Sequence, residues 1–136
     1  MLQASELLQR YTTGEREFNG LTLAGPERKV NLRGAQLTDI QFRGAALWMV
    51  DLSGANLSGA NLRDTTLISA EMVEAILVEV VLSGADLTAA NLQGADLTRA
   101  KLWGANLRRA VLVQSKLREP VYRGLISGLR IWRTVI

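Results

Sequence analysis

The sequence predicts an all-β solenoid, in which the chain turns a corner every five residues and buries one side chain in each turn. Two observations predict this fold: an apolar residue recurs every five residues over most of the 136-residue chain, and small residues recur at a fixed offset from it. In the stretch VDLSGANLSGANLRD, which runs from Val50 to Asp64, leucine occupies positions 52, 57 and 62. A short fixed period of this kind is typical of repeat architectures.

The five-residue period fits neither a single helix nor a flat strand. On an α-helix five residues turn about 500°, so successive leucines drift by about 140° and define no face. On a strand they would alternate between the two sides, because five is odd. A corner in every unit lets all of them point inward. Phe18 and Leu23 are the centres of two units near the start of the chain. Eighteen further units follow one another with an unbroken five-residue spacing, and their central residues are Leu32, Leu37, Phe42, Leu47, Leu52, Leu57, Leu62, Leu67, Met72, Leu77, Leu82, Leu87, Leu92, Leu97, Leu102, Leu107, Leu112 and Leu117.

The other positions of the unit agree with this interpretation. Alanine recurs two places before the centre, as at Ala55 and Ala60, and a narrow interior needs such small residues. Glycine recurs two places after the centre, as at Gly54 and Gly59, where a type II turn requires a positive φ. Asn or Asp often comes directly before the centre, and these side chains suit corners because they bind nearby backbone groups. We therefore interpret these acidic residues as structural.

The repeated motif A-[DN]-L-x-x, as in A-N-L-S-G at 55–59 and A-D-L-T-A at 85–89, resembles the pentapeptide-repeat proteins. The resemblance covers roughly Phe18 to Leu117, and the start of the chain is similar to that of small cytoplasmic cyanobacterial members. It implies a right-handed quadrilateral β-helix with four units per coil and about five coils.

Both open ends of this solenoid are expected to be covered within a single domain, residues 1–136. In residues 1–15, Ser5 can cap a short helix that runs to about Thr12, with Leu7, Leu8 and Tyr11 as its apolar side and Gly14 as its stop. In residues 120–136, apolar side chains recur at helical spacing and predict a C-terminal cap segment or a self-association surface. A membrane-surface helix is less favoured there, because the last coil needs covering. The apolar residues of this segment are Val121, Leu125, Leu129 and Trp132.

The predicted β-helix, residues 16–119, has a break at 26–29. There P-E-R-K supplies four residues where the pattern expects five. The pattern favours a corner bulge near the N-terminal cap, and a protruding binding loop is the alternative.

Apolar side chains at outward positions are the main departures from the pattern. Two clusters are expected on opposite faces. Outward β-branched residues also suit strands, but contiguous exposed apolar surface often marks an interface. The candidate interaction surface consists of Trp48, Met49 and Ile68 on one face, and of Ile76 and Val78, with Val81 and Trp103 round the corner, on the other.

The composition predicts no catalytic residue, no cofactor and no metal site. The chain has neither cysteine nor histidine, so the commonest general base and the thiol chemistry are missing. Asp51 and Glu71 are expected to stack one coil apart, and such a pair could in principle act in acid–base catalysis or bind a metal. However, Asn31 and Asn91 continue the same ladder on a flat face, so we predict that the protein is not an enzyme.

Charge is graded along the chain. Residues 1–68 hold 7 basic and 7 acidic side chains, residues 69–98 hold 0 and 5, and residues 99–136 hold 9 and 1, which sum to the net charge of +3. The basic end fits a solvated surface or an acidic partner. Nucleic acid is disfavoured, because these charges wrap around several faces and do not form one stripe.

The predicted function is therefore a non-catalytic scaffold or protein-interaction module, with an unknown protein partner or self-association. Inhibition of DNA gyrase or another DNA-binding enzyme by DNA mimicry, an activity of some pentapeptide-repeat proteins, is the alternative. Such mimicry needs an acidic surface along the rod, which the overall basic charge disfavours. The first 18 residues contain no long apolar run after a basic start, so we expect neither a signal peptide nor a membrane span, and a cytoplasmic location.

Overall fold

The computed structural model describes residues 1–24 and 29–119, and within them it has one helix, two short strands and a long series of isolated parallel bridges. Strand β1 covers Leu2–Gln3, helix α1 covers Ala4–Thr12 and strand β2 covers Leu23–Ala24. Strands β1 and β2 pair in parallel. The isolated bridges build the remainder of the fold.

Residues 20 positions apart pair across neighbouring coils, so one coil contains four five-residue units. Asn31 bridges Asp51, Asp51 bridges Glu71, and the column continues through Asn91 to Val111. Each of the other three columns also contains five residues, which are joined by four bridges. This arrangement is a repeat β-solenoid, as the five-residue period predicts.

Each unit forms hydrogen bonds in both directions along the solenoid axis. The Leu52 N–H donates to the Glu71 carbonyl on the next coil at 2.7 Å, and the Asp51 N–H donates to the Val30 carbonyl on the preceding coil at 2.8 Å. The corner is closed within the unit, where the Ala55 N–H donates to the Leu52 carbonyl at 3.0 Å. Because the same bonds recur around the coil, backbone groups that lose contact with water gain a protein partner.

The core runs along the solenoid axis and consists of the central residue of each unit and the residue two places before it, which is alanine in most units and valine or isoleucine at Val30, Ile40, Val50 and Val80. Every central residue from Leu32 to Leu112 is buried. Thr65 and Ser115 occupy two of the small positions, and both hydroxyls are satisfied. Thr65 Oγ1 donates to the Phe42 carbonyl at 2.9 Å, and Ser115 Oγ donates to the Leu112 carbonyl at 2.8 Å.

The second residue after each centre, from Gly34 to Glu119, has a positive φ, as a type II turn requires at its third position. Glycine adopts this conformation without steric cost. Eleven other residues adopt it here, and none of them is β-branched: Asp39, Met49, Asp64, Ser69, Glu74, Glu79, Ala89, Arg99, Arg109, Gln114 and Glu119.

Replacing Ala89 with glycine is expected to raise the free energy of unfolding by about 0.5–1 kcal/mol, because glycine removes the left-handed strain at φ 57. Ala46 provides the control, since it lies in an extended bridge and its replacement by glycine should lower stability by about 0.5–1 kcal/mol. Urea unfolding of both variants measures the difference. Equal losses at the two positions would contradict the strain at Ala89.

Helix α1 covers the N-terminal end of the solenoid. Its buried residues are Leu7 and Tyr11. Tyr11 Oη donates to the Thr38 carbonyl at 2.9 Å and thereby ties the helix to the first coils. Leu8 packs against the core and is only partly buried. The apolar side predicted for this segment is therefore the side that packs on the solenoid.

The start of α1 differs from the prediction, and its end agrees with it. The helix begins at Ala4 after the extended residue Gln3, and no side chain caps it. Because β1 runs directly into the helix, Ser5 lies within the first turn, and its predicted capping role is wrong. At the end, Gly14 has φ 101 and its N–H donates to the Tyr11 carbonyl at 3.0 Å, as in a Schellman motif.

The break after β2 is an insertion and not a shortened unit. Glu17 bridges Gln41, so the first coil is 41 − 17 = 24 residues long, against 20 in the coils that follow. The prediction of a unit one residue short at 26–29 is therefore wrong. The parallel bridges on either side of an insertion need only the residues that pair, so four extra residues between two units do not disturb the pairing. Residues 25–28 lie outside the described part of the chain. The predicted corner bulge and its alternative, a binding loop, therefore both stay predictions.

The predicted C-terminal cap, residues 120–136 with Val121, Leu125, Leu129 and Trp132, also lies outside the described residues and stays a prediction. Within residues 1–24 and 29–119, no helix has the length and apolar character needed to cross a bilayer.

Candidate interaction surface

The outward Asn and Asp side chains bind the backbone of their own corners. Asp86 Oδ1 accepts the Thr88 N–H at 3.0 Å and the Thr88 hydroxyl at 2.6 Å. Asn56 Oδ1 accepts the Ser58 N–H at 3.1 Å. These contacts satisfy corner backbone groups, so the structural interpretation of the Asx positions is confirmed.

Trp48, Met49 and Ile68 form an exposed apolar surface at one corner of two successive coils, which we call the Trp48 patch. Their exposed fractions are 45%, 45% and 37%. Ala46 bridges Thr66, so Trp48 and Ile68, each two residues further on, occupy the same corner on neighbouring coils. The Met49 N–H donates to the Ile68 carbonyl at 2.9 Å. The fold therefore gathers all three residues of this predicted cluster.

The second predicted cluster is divided between two sides of the solenoid. Ile76 is 41% exposed and belongs to the column that starts at Gln36, with Val78 at the corner that follows. Val81 belongs to the next column, and Trp103 lies at the corner after that column, one coil further on. Val78 and Val81 are only half-exposed. These four residues do not form one apolar surface.

Val111 and Val113 are exposed apolar residues that the sequence analysis did not single out. They are 41% and 42% exposed on the last described coil. The signal was present in the 20-residue register, because Val111 follows Asn91 in its column and Val113 takes the position of Gln93. At both positions a valine replaces the polar residue that lies 20 positions earlier.

Two acidic residues of the segment 69–98 form ion pairs with basic residues 20 positions later, on the next coil. Glu79 Oε1 lies 3.1 Å from Arg99 Nη1, and Asp96 Oδ2 lies 3.5 Å from Lys116 Nζ. Exposed pairs of this kind stabilise a protein by about 1 kcal/mol or less. Their main consequence is electrostatic, because they neutralise part of the acidic band formed by residues 69–98.

The stacked carboxylates Asp51 and Glu71 have different partners. Asp51 Oδ1 accepts the Ser53 N–H at 3.1 Å, and Asp51 Oδ2 lies 3.4 Å from Arg33 Nη1. Glu71 Oε2 accepts a hydrogen bond from Asn91 Nδ2 at 3.1 Å. Both side chains therefore take part in the polar ladder of their column. No group of three or more acidic side chains within the described residues is placed to hold a metal ion.

The comparisons with known proteins agree with this geometry. The family model for pentapeptide repeats matches 8 copies, over residues 50–84 and 73–104. A pentapeptide repeat protein of Nostoc PCC 7120 is 35% identical to this chain, and the match covers 88% of this chain and 86% of that one, with a TM-score of 0.44. The chain belongs to the pentapeptide-repeat family. No curated protein shows significant similarity to it.

Two further solved pentapeptide-repeat structures are similar in fold. Rfr23 of the cyanobacterium Cyanothece 51142 is 29% identical with a TM-score of 0.70, over 88% of this chain and 96% of that one. A pentapeptide repeat protein of the Arabidopsis thaliana thylakoid lumen is 23% identical with a TM-score of 0.50, over 80% of this chain and 63% of that one. The solenoid of this pentapeptide-repeat protein is therefore shared with proteins of different sources.

Two aspartates of this pentapeptide-repeat protein link its stability to pH. Burial by itself raises the pKa of Asp51, but hydrogen bonds from the Ser53 hydroxyl and N–H, together with Arg33, hold this pKa below its ordinary value. Burial also raises the pKa of Asp96, but hydrogen bonds from the Thr98 hydroxyl and N–H, together with Lys116, hold this pKa below its ordinary value.

We expect the free energy of unfolding to fall as the pH drops below about 4. A carboxylate with a lowered folded pKa stabilises the fold above its unfolded pKa of about 3.9, and this contribution is lost as the pH falls through the folded value. The double variant Asp51→Asn, Asp96→Asn should show a shallower decline between about pH 5 and pH 2. Urea midpoints measured across this range test the expectation, and an unchanged slope in the double variant would contradict it.

Proposed function

We propose that this pentapeptide-repeat protein is a non-catalytic scaffold that binds a partner protein through the Trp48 patch. The observation that carries the proposal is the gathering of a tryptophan, a methionine and an isoleucine at one exposed corner. The same corner carries the polar residues Thr88 and Arg108 on the coils above, which gives the patch a boundary. Exposed apolar surface with such a polar border is typical of interaction sites.

The chemistry of the three side chains supports this function. Tryptophan is enriched among the residues that dominate the binding free energy of protein interfaces. Methionine adapts its shape to irregular partner surfaces. The right-handed, four-sided coil that family membership implies would present them on a backbone held by hydrogen bonds to both neighbouring coils. A rigid surface of this kind loses little conformational entropy on binding.

Affinity capture from the cells that express the protein tests the proposal. The bait proteins are the unmodified chain, the double variant Trp48→Glu, Ile68→Glu and the control Val113→Glu, which places one charge at an equally exposed valine. We expect a protein that the unmodified chain and the control retain, and that the double variant loses at least about tenfold. Equal capture by all three baits would remove the Trp48 patch as the binding surface.

The mass of the protein in solution shows whether the partner is a second copy of the chain. Light scattering over a range of concentrations should give a dimer that the double variant converts to a monomer, if the patch binds itself. A monomer at all concentrations assigns the patch to a different protein.

DNA mimicry at gyrase is the weaker alternative. The acidic band of residues 69–98 is the observation in its favour. Against it, Glu79 and Asp96 pair with Arg99 and Lys116 on the next coil, and the last described coil is basic. A DNA mimic needs uninterrupted negative charge along the rod. A supercoiling assay in which the protein neither inhibits nor protects gyrase would exclude this function.

We further propose that the scaffold acts in the cytoplasm. Fractionation of expressing cells tests this location, and recovery in a membrane or secreted fraction would contradict it.

A further inference from the structure

A depression at a different corner from the Trp48 patch has the shape and the charges of a small-ligand site. Three successive coils place Arg63, Ser83 and Trp103 at the same corner position. The Asp64 N–H donates to the Ser83 carbonyl at 3.0 Å, and the Gly84 N–H donates to the Trp103 carbonyl at 2.7 Å, which fixes this order. Ser83 therefore separates two large, flat side chains, while the Asp64 carboxylate lies over the neighbouring Gly84.

The space over Ser83 is the part of this corner that a planar ring could occupy. The depression has a volume of about 550 Å³, and Val81 and Lys101 contribute to its lining. Two coil spacings, about 9.6 Å, separate the backbones of Arg63 and Trp103. A ring in van der Waals contact on both sides needs about 7–8 Å between the flanking groups. The guanidinium of Arg63 and the indole of Trp103, which both line the depression, are groups that stack well on such a ring.

The charges around the depression favour an anionic ligand. Arg63 and Lys101 are two of its lining residues. Asp64 lies 3.4 Å from Arg63 Nε and 3.8 Å from Arg43 Nε, so its carboxylate contacts the inner nitrogen of Arg63. Among the described residues, no acidic side chain forms an ion pair with Lys101. Two cations and one carboxylate thus line the depression, and the lining is net positive.

We propose that this depression binds a mononucleotide. The base stacks between Arg63 and Trp103, the phosphate contacts Lys101 and the Arg63 guanidinium, and an amino group of the base donates to the carboxylate of Asp64. The volume lies in the usual range for sites of ligands of this size, whereas a single aromatic carboxylate would fill only part of it. A nucleic acid strand is less well matched, because the described part of this corner offers one exposed indole and not a series of stacking platforms.

The indole N–H resonance of Trp103 provides a direct test. The full-length ¹⁵N-labelled protein is titrated with AMP, adenosine and ribose 5-phosphate at low salt. We expect a saturable shift of the Trp103 indole signal with AMP below about 1 mM, while the Trp48 indole signal stays in place as an internal reference. Adenosine and ribose 5-phosphate should each bind at least about tenfold more weakly, because each lacks one half of the proposed contacts.

Two variants separate the site from a general surface effect. Ser83→Leu fills the space between Arg63 and Trp103 and should weaken AMP binding at least about tenfold. Thr88→Leu makes a similar change at the equivalent position of the next corner and should leave AMP binding unchanged. Circular dichroism of both variants checks that the solenoid is intact. Should Ser83→Leu fail to fold, Trp103→Ala, which removes the stacking partner at an exposed position, replaces it with the same expected loss.

Three results would overturn the proposal. One is the lack of a saturable Trp103 shift with AMP. Another is equal affinity for AMP and ribose 5-phosphate, which would indicate a plain anion site. The third is much tighter, strongly salt-dependent binding of a ten-nucleotide single strand, which would indicate strand binding. Since the Trp48 patch contributes no group to this depression, none of these results bears on the proposed scaffold function.

Discussion

Replacing Leu77 with alanine is expected to lower the free energy of unfolding by about 2–5 kcal/mol. Leu77 is fully buried and lies in register between Leu57 and Leu97 of the neighbouring coils. The Leu77 N–H donates to the Asp96 carbonyl at 2.8 Å, and equivalent bonds hold the coils on either side. Because the backbone keeps this spacing, the interior cannot collapse into the space, and a cavity remains. Urea unfolding followed by circular dichroism measures the loss.

The adjacent residue provides the matched control. Ile76 is 41% exposed, so Ile76→Ala should change the free energy of unfolding by only about 0.5 kcal/mol. Leu77→Met keeps the volume and should cost less than about 1.5 kcal/mol; methionine already occupies one centre, at Met72. Similar losses for Ile76→Ala and Leu77→Ala would contradict the assignment of inner and outer positions in this unit.

Replacing Gly84 with alanine is expected to lower the free energy of unfolding by roughly 2 kcal/mol, through two separate effects. Gly84 has φ +70, which strains any side chain. A Cβ at this position would also collide with Oδ1 of Asp64. The exposed carboxylate would have to turn, and its contacts with Arg63 and Arg43 would weaken by about 1 kcal/mol or less.

Three further variants separate these effects. Gly44 has φ +66 and nothing within 4 Å of an added Cβ, so Gly44→Ala carries the backbone strain alone and should cost about 1 kcal/mol. In the double variant Asp64→Ala, Gly84→Ala the carboxylate that would collide is absent. The double variant should therefore be less stable than Asp64→Ala by only about 1 kcal/mol, the same loss as for Gly44→Ala. The urea midpoints of the four variants and of the unmodified protein give the comparison. A loss at Gly84 no larger than at Gly44 would mean that Asp64 moves aside at no cost.

The inward and outward positions of the unit follow from the sequence, because they depend on one local rule that the chain repeats. Leucine at the centre and alanine two places earlier predict burial, and the core has both. Glycine two places after the centre predicts a positive φ, and the same conformation occurs where Glu74 or Arg99 replaces it. The coil imposes the conformation there, and the local residue preference does not decide it.

The ends and the insertion could not be predicted as well, because they depend on pairing with distant residues. Ser5 has the chemistry of a capping residue, but β1 pairs with β2 and carries the chain into the helix two residues earlier. The break at 26–29 resembles a short unit when read along the chain. The bridge from Glu17 to Gln41 reveals the longer first coil, and no local pattern contains that information.

The sequence by itself determined the repeat, its period, the burial of each position and the absence of cysteine and histidine chemistry. Only the tertiary structure decided which outward residues share a surface. Trp48 and Ile68 meet, and Arg63, Ser83 and Trp103 line one depression, whereas Ile76 and Trp103 lie on different sides. The physical reason is that burial is set within each five-residue unit, whereas surface neighbours are 20 residues apart and meet only when the coil closes through hydrogen bonds.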